Sequence, residues 1–170
     1  TDLRIGFEDA ALRTDRPDAP VRLTATGSYR QTPVSLEADL QSIATLRNAA
    51  VPYGTDLMFQ SGDTTLRFQG TMTKPLAVDG AVGALTLQAP TIATILAIAG
   101  VQNGPKASLV LAGTLTRSDA LWLLNGVAGK LDDSVLATSP LRLTDGGRGH
   151  ADDVQLDREF DRLNLGRLLA

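Results

Sequence analysis

The sequence has no cysteine and a single histidine, His150. Disulfide bonds and thiolate metal sites are therefore excluded, and a structural zinc site would lack its usual ligands. Aromatic residues make up only 4% of the 170 residues, so an apolar core has to be built from Leu, Val, Ile and Ala. Lysines and arginines form no cluster, and the net charge of −3 argues against a nucleic-acid-binding face.

Long apolar runs are also missing. The most apolar stretch covers residues 92–101, well short of the roughly 20 residues that a membrane-spanning helix needs. We therefore expect any membrane anchor to lie outside these residues. The chain begins at Thr1 rather than at Met, so we interpret residues 1–170 as a single domain of a longer protein.

Catalytic constellations are sparse as well. A Ser-His-Asp triad would have to use His150, which lies in the glycine-rich stretch 145–152 and is best interpreted as a turn residue. That stretch resembles a calcium-binding nonapeptide, but its aspartate is displaced by one position and the motif occurs once, which favours a loose turn. The adjacent aspartates at 132–133 and 152–153 would point to opposite faces of a strand. We predict a protein without enzymatic activity, metal or cofactor.

What the sequence does contain is an apolar residue at every second position over most of its length. In one run, Val21, Leu23 and Ala25 alternate with Arg22 and Thr24. Such alternation is typical of antiparallel strands with one apolar and one solvated face. Turn residues separate the runs at intervals of roughly 8–15 residues, as in hairpins. We predict a loop over 9–19 and ten strands, at 2–8, 21–29, 34–39, 55–60, 64–72, 77–88, 107–116, 120–128, 134–143 and 149–157.

Three short segments have helical rather than alternating spacing. They cover residues 40–48, 91–99 and 161–170, each of about two turns with the usual boundary residues. The first two resemble each other, since SIATL at 42–46 is matched by TIATI at 91–95. A glycine-bounded hairpin follows in both cases, which indicates an internal repeat of strand, helix and hairpin around residues 34–76 and 82–128.

About ten half-apolar strands create one large apolar face that three two-turn helices are too small to cover. Either the sheet closes on itself, or an acyl chain completes the core, with burial contributing about 0.8 kcal/mol per CH₂. The strand at 120–128 is apolar at every position from 121 to 124, so we expect it to be buried on both faces. The candidate groove-lining residues are Leu66, Phe68, Met72, Leu85, Leu87, Leu109, Leu111 and Leu115.

A series of short sequence motifs (the words given next) that contain glycine, proline or leucine resembles the central and C-terminal part of AsmA-family proteins. The words are Asp2-Leu3-Arg4, Gly27-Ser28-Tyr29, Pro33-Val34, Leu46-Arg47-Asn48, Pro52-Tyr53, Gly62-Asp63-Thr64, Phe68-Gln69-Gly70-Thr71, Pro75-Leu76, 85–90, Ala99-Gly100-Val101, 111–115, Trp122-Leu123-Leu124, Gly126, Gly129-Lys130, 131–136 and 161–165. Their order and spacing, over nearly the whole chain, carry the resemblance. The sequence departs from the family pattern at 137–140 and at 148–150.

The resemblance implies a mainly β fold: a long curved antiparallel β-sheet, groove-like or half-barrel-like, with two or three short helices. Proteins of this family are similar to bridge-like lipid transfer proteins, whose curved sheet forms an apolar groove. The resemblance also implies a periplasmic protein whose parent is anchored to the inner membrane. Its expected role is outer-membrane biogenesis, lipid transport and phospholipid homeostasis, with phospholipid acyl chains and other envelope proteins as partners.

Two other functions stay open at this point. The sheet could be covered entirely by its own chain and serve as a structural or regulatory interaction domain of an envelope assembly factor, without lipid. A hydrolase acting on envelope substrates would have to depend on His150, the only imidazole.

Overall fold

The computed structural model describes residues 6–29, 31–46, 48, 51–98, 106–138, 140–144 and 153–156. They form a mainly β structure, with 68% in strands and two short α-helices. The strands are β1 (Gly6–Arg13), β2 (Val21–Tyr29), β3 (Thr32–Leu40), β4 (Tyr53–Ser61), β5 (Thr64–Lys74), β6 (Asp79–Ala89), β7 (Leu109–Ser118), β8 (Leu121–Leu131), β9 (Ser134–Thr138), β10 (Leu141–Thr144) and β11 (Asp153–Leu156). The helices are α1 (Ile43–Leu46) and α2 (Ile92–Ile98), and a 3₁₀ turn covers Pro75–Ala77.

Every strand pair is antiparallel, and from β1 to β8 each strand pairs with the next one along the chain. The order changes at β8, because β9 pairs with its residues 127–131 and β10 with its residues 121–124. Strand β11 then pairs with β10. Within the described strands the sheet is open, since its edge strands β1 and β11 do not pair with each other. The predicted long antiparallel β-sheet with short helices is confirmed.

The register of the strands gives the sheet two chemically different faces. Residues directly opposite each other in an antiparallel pair point to the same side. Leu57 lies opposite Phe68, which lies opposite Leu85, and we call this side the apolar face. Asp56, which directly precedes Leu57 in β4, lies opposite Gln69 on the other side of the sheet. We call that side the polar face.

The hydrophobic core is a thin layer on the apolar face. Phe68, Met72 and Ala81 form a buried cluster against which Leu85 and Leu115 pack. Helix α1 connects β3 to β4, whereas α2 follows β6, which runs antiparallel to β3, so the two helices lie at opposite ends of the strands. The other buried apolar residues of the strands are Val21, Ala25, Val34, Ala38, Tyr53, Ala89, Leu124 and Val127.

Ion pairs connect neighbouring strands on the polar face. Arg22 donates to both carboxylate oxygens of Asp39 at 2.9 and 3.0 Å, and Arg67 donates to those of Asp56 at 3.1 and 2.7 Å. The hydrogen bond from Arg22 lowers the pKa of Asp39. Because these pairs are solvent-exposed, they favour the observed register more than they add stability.

Two predicted boundaries were wrong. The predicted loop at 9–19 begins only after Arg13, because Ala10 and Leu12 continue the alternation and pair with Ala25 and Leu23. The predicted strand at 134–143 is two strands, β9 and β10, separated around Pro140, which has no N–H to donate to a sheet.

The two predicted helices at 40–48 and 91–99 are present as the shorter α1 and α2. The third, at 161–170, lies outside the described residues. Both halves of the proposed repeat show the order strand, helix, hairpin, although repetition itself stays a prediction.

Candidate functional site

A cavity of about 440 Å³ lies on the apolar face. It is lined by Leu57, Leu66, Phe68, Met72, Val78, Ala81, Leu85, Leu87, Leu111, Leu115, Trp122, Leu124 and Leu141. None of these side chains is charged, and Trp122 is the only one with an N–H or O–H group. We call this surface the groove.

The sheet has to curve for these residues to share one cavity. Leu57 lies on β4 and Leu141 on β10, five inter-strand steps apart in the sheet. At about 4.8 Å per step, a flat sheet would hold them about 24 Å apart. The groove therefore lies on the concave side, and residues from six strands contribute to its lining.

Most of the predicted groove residues come together in the structure. Seven of the eight line the cavity: Leu66, Phe68, Met72, Leu85, Leu87, Leu111 and Leu115. The eighth, Leu109, lies on the same face opposite Ala89 and Leu131, beyond the end of the cavity. Whether these residues bind lipid stays a prediction at this stage.

Sequence reasoning missed part of the lining. The missed residues include Leu57, Trp122 and Leu124, which belong to predicted strands. They occupy the alternate positions that share a face with the predicted groove residues, and this alternation is the signal that could have found them. Leu121 and Leu123, on the polar face of the same strand as Trp122, are only half-buried. The remaining unpredicted lining residues are Val78, Ala81 and Leu141.

One end of the groove carries charged side chains. Among the described strand positions of the apolar face, the charged residues are Lys74, Asp79 and Arg117, and all three lie at this end. Lys74 and Asp79 are opposite each other and form an ion pair at 2.9 Å. Asp79 also accepts hydrogen bonds from the backbone N–H groups of Gly80 and Asp119, both at 2.8 Å. The Lys74 hydrogen bond, followed by these backbone donors, lowers the pKa of Asp79 to about 2.

Arg117 lies at the rim of the groove. Its guanidinium stacks on Trp122, 4.3 Å from the ring centroid. Its Nη1 donates to the carbonyl oxygen of Val78 at 2.9 Å, and its Nε donates to that of Asp119 at 3.3 Å. Because Trp122 and Val78 both line the groove, these contacts hold a positive charge against its apolar wall.

Replacement of Asp79 by Asn should change how stability depends on pH. A carboxylate whose folded pKa is depressed from 3.8 to about 2 stabilises the fold above pH 4, and this contribution disappears as the pH falls through that window. Asp79→Asn should therefore lower the urea midpoint at about pH 6, and the difference from the wild type should shrink towards about pH 2.

The matched control is Asp63→Asn in the β4–β5 turn, since Asp63 is exposed and forms no ion pair with the described residues. Its midpoint difference should stay nearly constant over the same pH range. A constant difference for Asp79→Asn as well would contradict the assigned role.

The other motifs noted in the sequence form no constellation in the described part of the chain. Asp132 lies in the β8–β9 turn and accepts hydrogen bonds from the backbone N–H of Ser108 at 2.6 Å and from its hydroxyl at 3.1 Å, which fixes the chain just before β7. No group of three or more His, Asp or Glu that could hold a metal ion occurs among the described residues. His150 and the stretch 145–152 lie outside them.

The fold and the groove define a class of protein, an open antiparallel β-sheet with an apolar concave face. Comparison with protein-family models, with curated proteins and with solved structures found no match for this chain. None of the helices in the described ranges is long and apolar enough to cross a membrane.

Proposed function

We propose that this protein is a non-enzymatic module of the cell envelope that binds or conducts lipid acyl chains along the groove. The observation that carries the proposal is the cavity of about 440 Å³ with an uncharged, almost entirely hydrocarbon lining. Water in such a cavity finds almost no hydrogen-bond partners, whereas an apolar chain releases that water and gains dispersion contacts.

The size and exposure of the groove fit an acyl chain. Its volume falls within the range of ligand-binding cavities in proteins, about 300–1,000 Å³. Leu66, Leu87 and Leu111 are only half-buried and so keep apolar area that an occupant would cover. Each CH₂ that becomes buried contributes about 0.8 kcal/mol. About ten of them would therefore offset much of the free-energy cost of the freedom that the chain loses on binding.

The resemblance to AsmA-family proteins supports the cellular part of the proposal. On that basis the protein acts in the periplasm, in a parent anchored to the inner membrane through a segment outside these residues. Its role is in outer-membrane biogenesis and phospholipid homeostasis. Other envelope proteins would deliver lipid to the groove or receive lipid from it.

Native mass spectrometry and lipid extraction of the purified protein test the proposal. We expect bound species with phospholipid masses and, after delipidation, saturable binding of N-phenylnaphthylamine, an uncharged dye that fluoresces in apolar surroundings. Absence of both would contradict lipid binding and favour an interaction domain without lipid.

Incubation with phospholipid vesicles separates binding from catalysis. We expect the vesicle lipids to stay chemically unchanged, because the groove lining contains no nucleophile or general base. Release of free fatty acid would contradict the non-enzymatic part of the proposal and favour the hydrolase.

A further inference from the structure

The groove is chemically asymmetric along the direction of its strands. At the end where β7 turns into β8, the apolar face carries Lys74, Asp79 and Arg117. At the opposite end, the corresponding positions of β4 and β5 are the uncharged Ser61 and Thr64. An occupant with one polar end therefore meets different chemistry depending on its orientation.

The charges at this end are unevenly paired, although the carboxylates of Asp79 and Asp119 equal Lys74 and Arg117 in number. Lys74 is neutralised by Asp79, which is also bound by two backbone N–H groups. Arg117 forms no ion pair with a carboxylate of the described residues. Its guanidinium has five N–H donors. Among the described residues, Nη1 donates to the carbonyl oxygen of Val78 and Nε to that of Asp119, so Nη2 donates to none of them.

Resting on the function proposed above, we propose that the groove takes an amphiphile with an anionic head group, which Arg117 binds at the rim. Arginine donates two parallel N–H bonds to carboxylate or phosphate oxygens. Stacking on Trp122 fixes the plane of the guanidinium in advance, so little side-chain entropy is lost when the head group binds.

This arrangement also orients the apolar chain of the amphiphile. With its head group at Arg117, the chain follows the strands past Leu115 to Leu111, which line the groove on β7. Arg117 is six residue steps along β7 from Leu111, a distance of about 20 Å at the usual rise. Leu85 and Leu87 lie opposite Gly113 and Leu111, so two strands form the floor along which the chain lies.

Displacement of N-phenylnaphthylamine by twelve-carbon amphiphiles below their micellar concentrations tests the inference. Dodecanoate should displace the dye from the wild type at concentrations about tenfold lower than dodecyltrimethylammonium does. Acetate, the head group without the chain, should not displace it. Equal potency of the two amphiphiles, or displacement by acetate, would overturn the inference.

Variants at the rim show whether Arg117 is the source of the preference for dodecanoate over dodecyltrimethylammonium. Arg117→Gln should abolish it, Arg117→Lys should keep part of it, and the control Arg142→Gln on the polar face should keep it fully. An unchanged preference in Arg117→Gln would overturn the inference, as would its loss in all three variants. If Arg117→Gln fails to fold, the comparison of Arg117→Lys with the wild type decides, since loss of bidentate binding should reduce the preference several-fold.

The same titrations distinguish this inference from the function on which it rests. If the delipidated wild type binds dye and both amphiphiles equally, lipid binding stands and only the anionic preference fails. If it binds neither the dye nor any amphiphile, lipid binding fails and the inference fails with it.

Discussion

Replacement of Gly83 by alanine should lower the free energy of unfolding by about 3 kcal/mol, measured by urea denaturation. Gly83 lies opposite Gly70 on the apolar face, between β5 and β6. A Cβ atom at Gly83 would lie 2.4 Å from the carbonyl oxygen of Gln69 and 2.6 Å from the Cα of Gly70. Both are backbone atoms of a paired strand, so relief requires the two strands to separate.

The control for this prediction is Gly126→Ala in β8. Gly126 has a φ of +59°, and a Cβ atom there would meet no atom within 4 Å. Its cost should be the backbone strain alone, about 1 kcal/mol. Equal losses for the two variants would show that close approach of β5 and β6 is not what Gly83 provides.

The glycine pair also bears on the shape of the groove. Gly70 and Gly83 lie between Phe68–Leu85 and Met72–Ala81 in the register of β5 and β6, which are four residues of the lining. Glycine in a strand interior marks a sharp bend or a close backbone approach. Here the glycines provide the close approach, since a Cβ atom on either one would lie 2.6 Å from the Cα of the other.

Strand positions and the division into two faces could be predicted because alternation is a local property. The predicted strand at 21–29 coincides with β2. Its alternating residues Val21, Leu23 and Ala25 all pair with apolar residues of β3. The loop prediction at 9–19 was wrong for 9–13 because the many charged and proline residues there outweighed the alternation of Ala10 and Leu12.

The boundaries of the cavity could not be predicted in the same way. Parity assigns Leu109 and Leu111 to one face, but the cavity ends between them along β7. Where it ends depends on how side chains of six strands pack together, which the sequence does not reveal before the register is known.

The charged rim shows the same limit. Arg117 has the parity of Leu111 and Leu115, but the predicted strand ends at 116 because residues 117–119 have the composition of a turn. The structure shows that β7 continues through Ser118, and that Arg117 lies opposite Trp122. The stacking and the bond to Val78 depend on this hairpin and on the neighbouring β5–β6 corner, which are 39 residues apart in the chain.

A carboxylate placed in the groove should abolish lipid binding while leaving the fold intact. Leu111 is half-buried and lines the cavity, so in Leu111→Glu the new carboxylate stays hydrated until an acyl chain covers it. Burying that charge against hydrocarbon without a partner is strongly unfavourable. We expect the dissociation constant for N-phenylnaphthylamine to rise at least about tenfold and copurifying lipid to disappear.

The neighbouring residue supplies the matched control, because adjacent positions in a strand point to opposite faces. Val110 is 48% exposed on the polar face and lies opposite Lys130, which would tolerate a carboxylate. Val110→Glu should therefore bind the dye and retain lipid like the wild type. If both variants bound lipid equally well, the ligand would have to lie elsewhere; if both lost it equally, the loss would reflect damage to β7 rather than a blocked groove. Only a difference between residues 110 and 111 places the acyl chain on the concave face.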